Sequence, residues 1–434
     1  MILSVFLLYS NRGEAQKYTL QQCLDFALNN SYALRRASLE IKEAEYQKQE
    51  TQSGVLPQIN ASGGLDDNVV LAKMMLPGEI IGMPGENVAV AMGTKYVLDV
   101  SASLEQTIFS PTLFTGIQIA KTNVELQRLR AAMTKEEIIF NVSYAYYDIL
   151  NSVQELEHLA YILAKQDSLY LLMKQRVEEG LVRETDLNRL KVNMTTLRIN
   201  GENIRNTVAQ QKRYLQILIG MSVNEPIELD DAIVGATLAV APQIPQNNIE
   251  LDILNKQKDM LALEIRQIKA GYLPTLSAVA SGGYQFQAEN LHLAKEPWFN
   301  SFLAGVKLSV PVFDGFGKRS QLRQKRIQMQ RLETDLTETN RTISANYQNA
   351  MEQLRTTYKS IHAQNENLQL AEKVYAQTTM LYSEGLASLT DLLETENALH
   401  EAKTTCTSET IRYRKAEVDL LKATGRLEEL IIKK

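Results

Sequence analysis

The sequence predicts a mainly α-helical chain with a smaller β portion, built as two copies of one unit, each a strand hairpin followed by long coiled-coil helices. The first observation is a recurrence. Gly180-Leu181-Val182-Arg183-Glu184-Thr185-Asp186-Leu187 returns as Gly385-Leu386-Ala387-Ser388-Leu389-Thr390-Asp391-Leu392, with Gly-Leu and Thr-Asp-Leu at the same spacing, 205 residues later. The second is that other landmarks recur in the same order. Gly54-Val55-Leu56-Pro57 matches Gly271-Tyr272-Leu273-Pro274 at an offset of 217, Phe109 matches Phe313 at 204, and Gly220 matches Gly425 at 205. Ordered recurrence marks a duplication. The drop from 217 to 204 puts about 13 extra residues in the first hairpin, where a surface loop can hold them. The third is a pair of helical stretches too long for an ordinary globular domain, carrying heptad repeats.

The elements follow in order. Residues 17–220 form the first repeat. Thr19 caps a helix running to Leu28, Asn29-Asn30 interrupts it, and a second helical run extends from Tyr32 to Gln52 before Pro57 changes the element. A strand hairpin occupies about 57–109. Its first strand alternates weakly through Ile59, Ala61 and Leu65; its second sets Leu98, Val100, Ala102 and Leu104 on one face and Asp99, Ser101 and Ser103 on the other. Residues 66–94, rich in Gly, Met and Pro, form the loop between them. Helices at 112–178 and 185–219 complete the repeat. At the turn between them Gly180 takes the left-handed conformation that ends one helix, Thr185 caps the next, and Asp186 lies in the first turn, where the helix dipole favours negative charge.

Residues 221–248, with Pro226, Pro242 and Pro245, read as a linker with little regular structure. The second repeat, 249–425, opens on a short helix to about residue 270 and continues with a hairpin at about 273–313. Leu276, Ala278, Ala280, Gly282, Tyr284 and Phe286 alternate in one strand, and Phe302, Ala304, Val306, Leu308 and Val310 in the next. Helices at 318–382 and 388–424 flank the Gly385 turn, with Thr390 in the capping position, and 426–434 forms a tail. At 1.5 Å per residue the longest helices would run roughly 90–100 Å. Leu187, Met194, Gly201, Val208 and Leu215 fall seven apart, as do Leu190, Leu197, Ile204, Gln211 and Leu218. Leu392, Leu399, Cys406, Tyr413 and Leu420 continue the first register in the second repeat, a pattern that implies left-handed supercoiling against partner helices.

Composition bounds the function. The chain has 434 residues, 44% hydrophobic content and a net charge of -5, an ordered protein with no bias toward nucleic acid. Cys23 and Cys406 make no metal or redox pattern and read as small apolar residues on helix faces. Residues 1–16, with the apolar run Ile2–Tyr9, read as an export-signal remnant, shorter than the roughly 20 apolar residues of a membrane helix. No other apolar run is long enough either, so a membrane could be crossed only by strands. The hairpin strands are roughly ten residues long, enough to cross at a tilt. Aromatics gather near their ends: Tyr96, Phe109, Tyr284, Phe286, Trp298, Phe299 and Phe313. Alternation by itself fits a soluble sandwich equally well.

No catalytic constellation emerges. His158, His292, His362 and His400 are isolated, and there is neither a phosphate-binding glycine loop nor a nucleophile elbow. The basic run Lys318, Arg319, Arg323, Lys325, Arg326 and Arg331 reads as a solvated helix face or a lining near a membrane. Asp186, Asp391 and Glu394 complement helix dipoles at the hairpin ends, and acquire a further role only if several hairpins converge on an axis.

An export signal, a duplicated hairpin-plus-long-helix unit, Gly-x-Leu-Pro before each hairpin and Gly-Leu-x-x-x-Thr-Asp-Leu in each half together resemble the TolC-type outer-membrane efflux proteins, over nearly the whole chain after residue 18. The resemblance implies a mainly α fold with a β-barrel portion: a homotrimer in which each protomer gives four strands to one barrel and its long helices to a tunnel. It implies a passive export duct in the outer membrane of a Gram-negative bacterium, extending into the periplasm and coupled through a periplasmic adaptor to an inner-membrane pump, for efflux or type I secretion. No enzyme activity, cofactor or nucleic acid is implied. Thr185, Asp186 and Tyr382 match gate-linking positions and Asp391 and Glu394 an acidic constriction, with Gly180 and Gly385 as the hairpin turns. Ala387 departs from the family's arginine at the gate, and Arg183 of the other hairpin is the candidate replacement. The alternative is a soluble periplasmic coiled-coil scaffold with a small β domain, which would need its apolar strand faces covered by protein rather than lipid.

Overall fold

Two asparagines and a serine show how local chemistry punctuates this helical chain. In the computed structural model, which describes residues 17–80, 82, 85–230, 248–290 and 298–432, a short strand β1 (Lys17–Tyr18) leads into α1 (Leu20–Asn30) and α2 (Tyr32–Ser53). Thr19 closes a capping box with Gln22 at the start of α1. At its end the Asn29 and Asn30 amides donate to the carbonyls of Asp25 and Phe26, and Ser31 turns the backbone out of the helix. Residues 1–16, expected to be an export-signal remnant, and Pro242, Pro245 and His292 lie outside the described residues.

The remaining elements are β2 (Gln58–Asp67), β3 (Lys73–Pro77), β4 (Asn87–Ala91), β5 (Tyr96–Phe109), α3 (Pro111–Glu178), α4 (Glu184–Ile219), β6 (Glu228–Leu229), α5 (Ile249–Ala270), β7 (Thr275–Ala288), β8 (Trp298–Ser309), α6 (Gly317–Ser383), α7 (Leu389–Ala423) and α8 (Glu429–Ile432). They fall into two units. One comprises the described residues through Glu40 with Gln127–Leu254 and those from Asp335 onward; the other comprises Ile41–Leu126 and Asn255–Thr334.

The first unit is almost entirely helical. Its main core gathers Cys23, Leu24 and Ala27 of α1, Ile139, Val142 and Ile149 of α3, Leu215 and Ile219 of α4, and Val418 and Leu421 of α7. Further along, Ala350, Leu354 and Ile361 of α6 pack on Tyr413, Ala416 and Leu420 of α7. The heptad positions Met194, Gly201, Val208 and Leu215 are buried, and a Cβ added at Gly201 would stand 3.0 Å from the Leu159 side chain, so the glycine permits close helix approach. Gly220 ends α4 at φ 79°, and an added Cβ there would lie 2.3 Å from the Asn30 carbonyl oxygen. Cys23 is buried in the main core and its thiol is pushed up to about 12 by that burial; Cys406 is free as well. Two short elements add to the sequence reading in this unit. Glu228–Leu229 pairs in parallel with Lys17–Tyr18, inside a segment read as linker, because Ile227 and Leu229 are drawn into the core. The tail carries the short helix α8, whose Leu430 and Ile431 cover that core.

The second unit holds a four-stranded antiparallel sheet in the order β2-β5-β7-β8. Its register stacks like with like. Ile59, Leu104, Ala280 and Ala304 line up across the strands, as do Ala61, Ala102, Gly282 and Phe302. The intervening rows, Asn60-Ser103-Ser281-Leu303 and Ser62-Ser101-Gly283-Ser301, are mostly polar, and the Ser62 and Ser101 hydroxyls stand 3.0 Å apart. One face is therefore apolar and the other hydrophilic, as period-2 patterning dictates. Phe302, Val306 and Leu308 remain 80%, 66% and 64% exposed on the apolar face. The sheet does not close: β2 and β8 are its edges. Residues 66–94, expected to be a loop, contain the small antiparallel hairpin β3–β4, in which Leu76 pairs with Val88 and Met74 with Val90. Among the described residues no helix is long and apolar enough to cross a membrane.

Candidate functional site

Both recurrent octapeptides form the same turn. At the first, Leu181 N–H donates to Arg176 C=O (2.8 Å) and Gly180 N–H to Val177 C=O (3.0 Å); at the second, Leu386 donates to Leu381 (2.9 Å) and Gly385 to Tyr382 (3.1 Å). This double bond pattern is the Schellman closure, and it requires the positive φ that Gly180 and Gly385 adopt, 72° and 78°. Leu181 and Leu386 are left exposed at the two turns.

The start of the next helix corrects the expected cap. Thr185 does not cap α4: the cap is Arg183, with extended backbone and no capping side-chain bond, and Thr185 lies inside the first turn. In the second copy the cap is Ser388 rather than Thr390. Asp391 Oδ2 accepts from both the Ser388 backbone N–H (2.9 Å) and hydroxyl (2.7 Å), while Asp391 N–H donates back to Ser388 Oγ at 3.1 Å. These bonds, the hydroxyl first, hold the Asp391 carboxyl below its ordinary range. Asp186 keeps its expected first-turn place without such a partner, because Arg183 brings no capping oxygen.

The two turns pack together. Leu389 at the start of α7 joins Met173 of α3 and Leu190 and Met194 of α4 in a buried cluster, with Val182, Leu187 and Tyr382 against it. Tyr382 is thus held by the opposite hairpin, and its hydroxyl is pushed up by burial, with Arg176 pulling down and Asp186 pushing further up. Tyr382 and Asp186 are brought within electrostatic reach. The Arg183 and Glu394 side chains are exposed, and neither makes a hydrogen bond or ion pair among the described residues, although the Arg183 carbonyl accepts from Asp186 N–H at 3.0 Å. The structure adds two arginines outside the octapeptides. Arg176 acts on Tyr382, and Arg189 Nη1 donates to Thr390 Oγ1 at 3.3 Å, linking the hairpins. No recurrence in the sequence singles them out.

A buried polar layer follows along the same helices. Gln166 and Glu396 are 1% and 7% exposed, and Gln166 Nε2 donates to Glu396 Oε2 at 2.6 Å. The oxygen of the same amide, Gln166 Oε1, is buried with no partner. Burial raises the Glu396 carboxyl, the Gln166 bond and the Lys165 charge pulling it partly back. Lys165 sits over the Tyr161 and Tyr375 rings at 4.7 and 5.1 Å. His158 and His400 are both lowered, first by burial. Among the described residues no group of three or more His, Cys, Asp or Glu side chains could hold a metal ion. His158, Glu396 and His400 border one small pocket, of about 20 Å³, and what the arrangement offers is packing, capping and charge.

Known proteins resemble this chain in sequence and in fold. The family model for outer membrane efflux proteins matches residues 23–221 and 241–426. Outer membrane protein TolC of Salmonella enteritidis is 23% identical over 348 residues, covering 76% of this chain and 70% of that protein. The alkaline protease secretion protein AprF of Pseudomonas aeruginosa is 24% identical over 338 residues, covering 75% and 67%. The crystal structure of the outer membrane protein VceC from Vibrio cholerae shares the fold with a TM-score of 0.73 at 14% identity, over 94% of this chain and 96% of that one. The open-state MtrE outer membrane channel of Neisseria gonorrhoeae does so at 0.72 and 15%, over 94% and 88%.

Proposed function

Because the chain belongs to the outer membrane efflux protein family, we propose that three copies assemble into one passive export duct, gated at the Gly180 and Gly385 turns. The protein is an export channel of the outer membrane. Each copy would give β2, β5, β7 and β8 to a shared barrel and its long helices to a tunnel in the periplasm. The observation that carries this reading is the sheet. Four strands with one apolar face, one hydrophilic face and two open edges cannot stand alone in lipid, where every backbone group must be paired. Copies joined edge to edge close the ladder, turn Phe302, Val306 and Leu308 to hydrocarbon and leave the serine-rich rows on a watery lumen. The soluble-scaffold alternative leaves that apolar face bare.

At the turns, Thr185, Asp186 and Tyr382 would link neighbouring coils in the closed state, with Arg183 in place of the charge that Ala387 lacks. Asp391 and Glu394 would form the acidic ring at the entrance. Glu394 is the acid left without an internal partner, so it would carry more of the cation preference than Asp391, which its own cap engages. The exposed Leu181 and Leu386 offer an apolar footing for a periplasmic adaptor, and an inner-membrane pump would supply the energy.

Single-channel conductance of the detergent-purified protein in planar bilayers tests this, with Asp391→Ala, Glu394→Ala and Ser388→Ala in parallel. Discrete cation-preferring channels are expected, with selectivity reduced most by Glu394→Ala and little changed by Ser388→Ala, which removes the cap but not the charge. Arg183→Glu should raise closed-state conductance. A protein that stays soluble without detergent and forms no channel returns the scaffold reading.

A further inference from the structure

The basic run at the start of α6 has no part in the entrance, and its surroundings point elsewhere. Arg319, Arg323 and Arg326 lie at i, i+4 and i+7 on one helix face and make no hydrogen bond or ion pair among the described residues. The acids close by are engaged: Asp314 with Lys318 at 3.1 Å, and Glu264 with Lys325 at 2.6 Å. The three arginines border a cavity of about 460 Å³ that the paired Asp314 and Lys318 also line, and the rest of its wall is apolar, with Tyr272, Val312, Phe313 and Phe316. This segment joins the end of β8 to α6, at the helical end of the strands.

Phe316 adopts φ 64°, the one non-glycine residue with positive φ among those described. A bulky side chain pays for that conformation, so the surroundings must hold it there. It sets the Phe316 ring edge-on to Phe313, with centroids 5.5 Å apart, yet leaves Phe316, Phe313 and Val312 61%, 75% and 92% exposed. Like charges four apart on a helix repel, and exposed aromatics, one of them strained, bury little of their surface inside the chain. Both costs are met by one occupant with an anionic head and an apolar body. Aromatics at the end of membrane strands with cations just beyond them match the boundary between hydrocarbon and headgroups.

We propose that this cavity seats an anionic phospholipid of the bilayer leaflet on the helical side, the arginines on its phosphate and the Phe313–Phe316 pair against its glycerol and upper acyl chains. The site rests on the membrane placement of β8 proposed above. The test is native mass spectrometry of the purified protein after reconstitution into vesicles of phosphatidylcholine with phosphatidylglycerol. Wild type and Arg319→Gln/Arg323→Gln/Arg326→Gln are compared, with Arg331→Gln outside the cavity as control. Wild type should retain phosphatidylglycerol over phosphatidylcholine, the triple variant should lose that preference by about tenfold or more, and Arg331→Gln should keep it. Excess glycerol 3-phosphate should not displace the lipid, since the apolar wall needs acyl chains; displacement would make the site one for soluble phosphate and overturn the lipid assignment. Equal retention by the triple variant would overturn it too. So would a triple variant that loses its oligomer in phosphatidylcholine alone, which would assign the stripe to contact between copies. Conductance in phosphatidylcholine bilayers, read on the same samples, reports the duct separately from this site.

Discussion

Replacing Glu396 by glutamine should stabilise the coiled coil, against the usual expectation for a buried hydrogen-bonded residue. The carboxylate accepts from Gln166 Nε2 at 2.6 Å but leaves Gln166 Oε1 buried without a donor. A carboxylate has no proton to give. The amide in Glu396→Gln keeps an acceptor and adds a donor for that oxygen, and removes the cost of burying charge. An unsatisfied buried acceptor costs about 1–3 kcal/mol, so amide protection around this layer should rise roughly 5- to 150-fold where local opening limits exchange. Losing the attraction to Lys165 works the other way, but that lysine remains over two tyrosine rings. The pH dependence carries a sign. Burial raises the folded-state carboxyl above its usual 4.5, so the native state holds its proton more tightly than the unfolded chain. The associated stability is fully present below about 4.5 and is lost as pH rises through the folded-state value. Protonated Glu396 can itself donate to Gln166 Oε1, so variant and wild type should converge in acid and separate at pH 8. His158 and His400, both lowered, tilt the opposite way, costing stability as pH falls below their usual 6.5, but they are common to both proteins and cancel in the difference. Hydrogen exchange in α7, corrected for intrinsic rates, reads this. A variant no better protected than wild type at pH 8, or a gap that persists in acid, would refute the argument.

Two further pairs of substitutions probe the helix ends. Gly220→Ala must force a Cβ against the Asn30 carbonyl at 2.3 Å in addition to holding φ 79°, whereas Gly180→Ala meets nothing within 4 Å. The second should cost only the backbone term, about 1–2 kcal/mol, and the first distinctly more, measured as denaturation midpoints of the detergent-solubilised protein. Ser388→Ala should open the first turn of α7 by about 1 kcal/mol, seen as faster amide exchange at residues 389–391, with a smaller effect from Thr390→Ala. Equal effects of the two would contradict the cap placement.

The duplicated architecture is legible in the sequence because each hairpin turn depends on a glycine that no other residue replaces cheaply, and because strand faces show directly as period-2 alternation. The caps are less legible. Thr185 and Thr390 share a position, and threonine is a good capping residue, so aligning the copies favours it. The Ser388-x-x-Asp391 box carries the correct signal in the second copy alone, since Arg183 stands at that position in the first. The β3–β4 hairpin hides among Gly, Met and Pro, where turn-forming composition masks short strands. The Gln166–Glu396 layer and the Arg189–Thr390 link depend on which helix faces which, information that lies in the packing and not in any local pattern. Glu396 reads as a surface residue until α3 is laid against it.

The open edges of the sheet have a consequence for inheritance. If copies of this chain complete one another's backbone pairing, entering the membrane and recognising a partner are a single event, and the unit that selection sees is the ring. A variant that pairs normally along β2 but presents a spoiled β8 edge would recruit intact neighbours into rings that never close. Its defect would spread to products of the healthy allele, and a cell carrying both would lose far more than half its channels.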